Sequence, residues 1–182
     1  MSLKNLWTMN IDETLVADKL KNVFKESDYE IFMPLNAQMK DIDLLLVKLS
    51  NYKAYSIQVK GSRTYEPKVI ETKRYGNGSA AWFSIPRNSM VDTQNKVSCF
   101  VFVLHSFSDT ENKKAISISY LVVPIKDLVK ITEKKQMRKD DFYHFSIWID
   151  AKDKRAFDFN NPGSNVIELS KYLDNWDLLL KS

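Results

Sequence analysis

The chain has 182 residues and a formal net charge of +4, and its hydrophobic fraction of 44% is ordinary for a globular protein. No apolar run is long enough to cross a bilayer as a helix, so no membrane partner is expected. The single cysteine, Cys99, excludes an intramolecular disulfide, and the N-terminus lacks the apolar core of a signal peptide. We therefore expect a cytoplasmic protein whose residues 1–182 form a single domain.

The first predicted element is an amphipathic helix over residues 11–27. Its apolar residues recur at helical spacing: Val16, Ala17, Leu20, Val23 and Phe24. Glu13 precedes this stripe by one turn and lies on it, whereas Asp12 and Lys19 lie on the polar side. Because an unpaired buried charge is costly, Glu13 needs a partner, which Lys60 or a metal ion would supply.

Three short strands follow the helix. The pattern predicts them at Tyr29–Phe32, at residues 43–49 and at residues 53–60, with a turn near residues 50–51. Since side chains alternate along a strand, Asp41 and Asp43 share one face of the second strand, and Gln58 and Lys60 share one face of the third. Pairing these strands brings a carboxylate, an amide oxygen and an ammonium group together at one end of a sheet.

The middle and C-terminal parts of the chain alternate between strands and connections. Strands are predicted at residues 81–85, 97–107, 115–123 and 145–149, and turns or loops at 74–79, 109–114 and 160–163. Residues 88–96 are predicted to be a connection or a short helix. Helices are expected from Pro124 to Ile131 and from Val166 to Leu180, and the charged segment 126–139 is expected to be exposed. His105 and His144 have no partner at ligand spacing, and Cys99 is predicted to be a small core residue.

The order of these elements carries a family resemblance. Glu13 on a first helix, Asp43 at the start of a strand, and the string from Ile57 to Arg63 (Ile-Gln-Val-Lys-Gly-Ser-Arg) resemble the PD-(D/E)xK nuclease superfamily. The string is similar to its Gln-x-Lys branch, which includes a type of group I intron homing endonuclease and uncharacterised bacterial proteins. The resemblance covers the first third of the chain best. It implies an α/β (α+β) fold with a restriction-endonuclease-like core, in which helices flank a central mixed β-sheet.

The resemblance also implies a metal-dependent deoxyribonuclease that uses Mg²⁺ or Mn²⁺. Asp43 would bind the ion together with the side-chain oxygen of Gln58 and the backbone carbonyl of Val59, which are the oxygen ligands that Mg²⁺ prefers. Asp41 is the competing carboxylate, and Asp43 is preferred because it directly precedes an apolar run. Gln58 replaces the acid of the commoner pattern, and its neutral amide is a weaker ligand, so a catalytically inactive nucleic-acid-binding module is an alternative.

The remaining catalytic roles fall to two residues. Lys60 would position or help to deprotonate the attacking water, or stabilise the transition state. Glu13 would orient Lys60 or contact the metal through water.

Basic residues follow the proposed site in the sequence and are expected to contact DNA phosphates: Arg63, Lys68, Lys73, Arg74 and Arg87. A scatter of solvated surface charges is the simpler alternative for them. Cutting both strands of a duplex usually requires two sites, so a homodimer is plausible. An alternative from a different functional class is a protein-interaction or immunity-type protein. Such a protein would bind a partner protein through residues 97–123.

Overall fold

The structure, a computed structural model, describes residues 11–34, 41–65, 67–110, 113–135, 141–160 and 166–182; for residues 107–110 and 113–116 it describes the backbone only. The fold is mixed α+β. The helices are α1 (Ile11–Val23), α2 (Val69–Tyr75), α3 (Arg87–Thr93), α4 (Ile125–Glu133) and α5 (Asp177–Leu180). The strands are β1 (Tyr29–Phe32), β2 (Leu44–Lys48), β3 (Lys53–Tyr65), β4 (Ser79–Pro86), β5 (Cys99–Thr110), β6 (Lys113–Pro124), β7 (Phe142–Asp150), β8 (Arg155–Asp158) and β9 (Ile167–Glu168).

The long strand β3 belongs to both halves of the sheet. Its first part lies between β2, which runs antiparallel to it, and β5, which runs parallel to it. With β1 on one side and β6 on the other, these strands form sheet A. The last two residues of β3 pair with β4, which continues through β7 and β8 to β9 and forms sheet B. Sheet A and sheet B are therefore continuous through β3 and have two faces in common. Each side chain of β3 lies on one of these two faces.

Two hydrophobic cores cover the two faces of sheet A. On one face, Val16 and Leu20 of α1 pack against Ile57 and Val59 of β3, joined by Trp176 from the C-terminal segment. On the other face, Phe100 and Phe102 of β5 pack against residues of sheet B, α3 and α4. Residues 99–104 of β5 are buried on both faces, which explains why this part of its sequence is a continuous apolar run.

Most of the predicted elements are confirmed. The first helix, the three-strand meander behind it, the strand at 81–85, the hairpin of β5 and β6, the helix after Pro124 and the strand at 145–149 all form, with ends that differ by a few residues. Residues 88–96 contain the short helix α3. Cys99 is fully buried, and burial raises the pKa of its thiol well above its usual range, as expected of a core residue. Most of the predicted turn at 160–163 lies outside the described residues.

Two predictions about the second half of the chain are wrong. The segment 126–139 is not uniformly exposed, because Leu128, Ile131 and Lys135 are buried. The segment 166–180 is not one helix, because Ile167–Glu168 pairs with β8 and Asp174 takes a positive φ of 49° that interrupts helical geometry. Its large side chains nevertheless enter the core as expected, since strand pairing overrides helical spacing without exposing them.

Helix α2 and the strands β8 and β9 were not predicted. Among the described residues, no helix is long and apolar enough to cross a membrane.

Candidate active site

Asp43 is held by two backbone contacts at the point where β2 begins. Its N–H donates to the carbonyl of Ile57 over 2.9 Å, and its carboxylate Oδ2 accepts a hydrogen bond from the N–H of Val59 over 2.6 Å. The register pairs Leu44 with Ile57, and Asp43 directly precedes this first pair of the ladder. The carboxylate is thus fixed against β3 beside the Gln-x-Lys residues.

Gln58 and Lys60 share one face of β3. Ile57 and Val59 point into the core beneath α1, so alternation directs Gln58 and Lys60 to the opposite face. Their register partners on β5, Phe100 and Phe102, line the second core. Gln58 is only 8% exposed, and Lys60 is half-buried. Gln58 and Lys60 therefore share a face as predicted, and the contact of the Asp43 carboxylate with β3 is to the backbone of the residue between them, Val59.

Burial raises the pKa of the Asp43 carboxyl above its ordinary value. The Val59 hydrogen bond and the positive charge of Lys60 act in the opposite direction, and the negative charge of Asp41 adds to the increase. Asp43 therefore carries a desolvation penalty that its protein neighbours only partly offset. A bound cation would favour the ionised form in the same way that Lys60 does.

Asp41 is engaged elsewhere. It precedes β2 with a φ of 84°, and its Oδ2 lies 3.5 Å from the ammonium nitrogen of Lys96. Asp43 has the closer connection to β3 and remains the preferred carboxylate.

The sequence predicts Asp12 on the polar side of the first helix. In the structure its side chain instead contacts His105. Its Oδ1 is 2.5 Å from Nε2 of His105, and both side chains are less than one-fifth exposed. Gly61 makes this approach possible, since a Cβ at that position would lie 1.8 Å from Oδ2 of Asp12. His105 has no partner at ligand spacing in the sequence, and its partner in the fold comes from the distant helix α1. A glycine inside a strand is the signal that could have indicated a close contact there.

Glu13 lies in the first turn of α1, next to Asp12, and is half-buried. Helix α1 packs on the face of β3 that carries Ile57 and Val59, whereas Lys60 lies on the other face. The structure thus places Glu13 across the sheet from Gln58 and Lys60. Its proposed action on Lys60 or the metal stays a prediction.

The predicted phosphate-binding residues are exposed but do not surround Asp43. Arg63 shares the face of Gly61 and so points away from the Lys60 side of β3. Lys73 and Arg74 lie on α2 and Lys68 directly precedes it, while Arg87 begins α3. Their contact with phosphates stays a prediction.

The atoms available near Asp43 are oxygens, which are the type of ligand that a hard divalent cation prefers. Asp43 and Gln58 offer side-chain oxygens, and Val59 turns its backbone toward Asp43, as its hydrogen bond shows. Among the described residues, no group of three or more His, Cys, Asp or Glu side chains is arranged to hold a metal ion. An ion at Asp43 would therefore depend on amide and main-chain oxygens and on water.

Two other features lie apart from this site. A pocket of about 350 Å³ between α1 and β1 is lined by Leu20, Phe24, Tyr29 and other residues outside the predicted site set. The base of the β5–β6 hairpin, which the protein-interaction reading would use, is buried between Cys99 and Leu104 and between Ser119 and Val123. Neither feature supplies chemistry to Asp43.

A buried ion pair joins the end of α4 to sheet B and was not anticipated from the sequence. The Lys135 ammonium donates to the Asp158 carboxylate, which also accepts hydrogen bonds from the N–H groups of Ser146 and Asn160. Lys135 also lies 4.4 Å from the ring centre of Phe145. The single charges of Lys135 and Asp158 in the sequence gave no indication that they meet.

Comparison with known proteins returned no relative. The sequence matches no family model, and no curated protein and no solved structure is significantly similar to it.

Proposed function

We propose that this protein is a metal-dependent deoxyribonuclease with a restriction-endonuclease-like core, acting in the cytoplasm. The observation that carries the proposal is the arrangement of Asp43, whose carboxylate accepts a hydrogen bond from the N–H of Val59, the residue between Gln58 and Lys60. The helix and antiparallel meander that precede this site are the start expected of that fold.

The chain's own residues supply orientation and charge. Asp43, Gln58 and the Val59 carbonyl would hold Mg²⁺ or Mn²⁺, which when bound neutralises charge on the phosphate and makes water more acidic. Lys60 provides a positive charge beside them, suited to positioning a water molecule or to stabilising the negative charge that develops at phosphorus. Exposed cations such as Lys73 and Arg74 give the surface affinity for the DNA backbone.

The test is a cleavage assay on supercoiled, linear and branched DNA with Mg²⁺ and then Mn²⁺. The expected result is cleavage that EDTA abolishes and that Lys60→Ala lowers by about 10²- to 10⁴-fold. Lys53→Ala is the matched control, because Lys53 is an exposed lysine at the opposite end of β3. Cleavage by Lys60→Ala at the wild-type rate would refute the proposed site.

A nucleic-acid-binding module without cleavage is the second candidate, and Gln58 is the observation that favours it. An amide in place of a second carboxylate lowers the negative charge available to a cation. If the site has only lost its acid, Gln58→Glu tightens Mn²⁺ binding by about tenfold or more and restores cleavage. Gln94→Glu, at the exposed end of α3, adds the same charge away from the site and should change neither property.

A further inference from the structure

Three rings form a row on sheet B, which we call the aromatic row: Trp82 of β4, and His144 and Phe142 of β7. The ring centres of Trp82 and His144 are 5.0 Å apart with planes inclined by 33°, and those of His144 and Phe142 are 6.1 Å apart with planes inclined by 24°. Trp82 is 42% exposed and Phe142 is 40% exposed, while His144 between them is half-buried. The two ends of the row thus present aromatic surface to solvent.

Arginine residues are placed near both ends of the aromatic row. The ladder between β3 and β4 pairs Tyr65 with Ala80 and Thr64 with Ala81, so by alternation Arg63 and Trp82, each one residue beyond this ladder, lie on the same face. At the other end, Pro86 pairs with Phe142, and the next residue, Arg87, donates its N–H to the carbonyl of Asp141. Arg63 and Arg87 are both exposed.

This combination matches the chemistry of an unpaired nucleic-acid strand. Bases stack on aromatic rings whatever their sequence, and the phosphates between them require cations. A duplex keeps the faces of its bases inside the stack and can offer only its phosphates to the same surface. An apolar peptide would use the rings but would gain nothing from the arginines.

We propose that the aromatic row binds an unpaired stretch of single-stranded DNA, with bases stacked on Trp82 and Phe142 and phosphates held by Arg63 and Arg87. The choice of DNA rests on the proposed nuclease function. The row lies on the face of the sheet opposite Gln58 and Lys60, so it is a positioning surface separate from the cleavage site. It deepens the proposed function by directing the enzyme to DNA with single-stranded segments.

The test is the binding of fluorescently labelled oligo(dT) to the full chain in EDTA, followed by anisotropy. Trp82→Ala and Phe142→Ala should each weaken binding by about tenfold or more, because each removes a stacking surface, whereas Trp82→Phe should keep most of the affinity. Tyr52→Ala is the matched control: Tyr52 is 81% exposed and lies in the turn between β2 and β3, and its loss should have no effect. Arg63→Ala should reduce the slope of affinity against salt by about 0.7.

Two results would overturn this inference: duplex DNA that binds as tightly as oligo(dT), or a Trp82→Ala variant, folded by circular dichroism, that binds like Tyr52→Ala. Because EDTA prevents cleavage, this measurement is independent of the nuclease test. Binding that depends on Trp82 in a protein that never cleaves DNA would refute the nuclease and support the row. Metal-dependent cleavage without such binding would support the nuclease and refute the aromatic row as a binding surface.

Discussion

A fully buried carboxylate, Asp158, and a half-buried one, Asp43, show how differently this fold uses charge. Asp158 is completely buried and accepts hydrogen bonds from the Lys135 ammonium and from two backbone N–H groups. Asp43 accepts one backbone hydrogen bond, from Val59, and among the described residues it forms no ion pair. Burial raises the pKa of Asp43, so its ionised form is only partly compensated.

The difference distinguishes a carboxylate whose role is structural from a carboxylate that is available to bind a ligand. The protein itself satisfies Asp158, which ties β8 to β7 and to the end of α4. Asp43 is fixed in position but retains acceptor capacity beside Gln58 and Lys60, as expected where a ligand completes the site. The following predictions test this division.

The largest expected effect on stability is at Asp158. Asp158→Ala should lower the free energy of unfolding by about 3–5 kcal/mol, because it leaves the buried ammonium of Lys135 without its carboxylate. Denaturant unfolding measures this, with Asp153→Ala as the control, since Asp153 is exposed in the turn after β7. The double variant Lys135→Met/Asp158→Leu removes both charges and should recover most of the loss. If Asp158→Ala lowers the free energy of unfolding by less than about 1 kcal/mol, Asp158 is not the structural charge that distinguishes it from Asp43.

Asp12 is an intermediate case, because it is paired with His105 but lies near the surface. Gly61→Ala should destabilise the protein by about 1–3 kcal/mol, since the new methyl group would occupy the position of the Asp12 carboxylate. Combining it with Asp12→Ala should cost less than the sum of the two single changes. Additive losses in a double-mutant cycle would show that the two residues are not in contact.

The smallest effect is a dependence of stability on pH at Asp43. Its folded-state pKa is raised above the ordinary value of an aspartate, so the folded state holds the proton to higher pH than the unfolded chain does. The resulting stabilisation is complete below the unfolded pKa and is lost as pH rises through the folded pKa. The stability of Asp43→Asn relative to wild type should therefore increase with pH across that window. Paired urea titrations between about pH 3 and pH 7 measure it, and a difference that decreases with pH would show that Asp43 is stabilised as a carboxylate.

Local patterns predicted much of the site because its geometry depends on short-range periodicity. Gln58 and Lys60 share a face through strand alternation, and Asp43 joins them because β2 and β3 are consecutive strands of one meander. The contact between Asp12 and His105 could not be predicted in this way. It spans 93 positions and exists only because β5 crosses over to lie parallel to β3.

The same reasoning explains the errors near the C-terminus. Leu169, Tyr172 and Trp176 recur at helical spacing and are buried, but residues 167–168 extend sheet B beside β8. The spacing of these apolar residues predicted correctly that they enter the core. It did not determine the path of the backbone between them. Likewise, Lys135 looks like one of many exposed lysines until β8 brings Asp158 to it.

The most direct test of the central claim is to compare wild type with Asp43→Asn in two measurements, Mn²⁺ titration by calorimetry and denaturant unfolding without metal. We expect wild type to bind Mn²⁺ and the variant to bind it at least about tenfold more weakly, because an amide replaces the principal carboxylate ligand. The metal-free variant should be as stable as wild type or more stable, since a partly compensated, half-buried charge is removed. Unchanged Mn²⁺ affinity, or a loss of stability as large as that expected for Asp158→Ala, would contradict the assignment of Asp43 to a functional site.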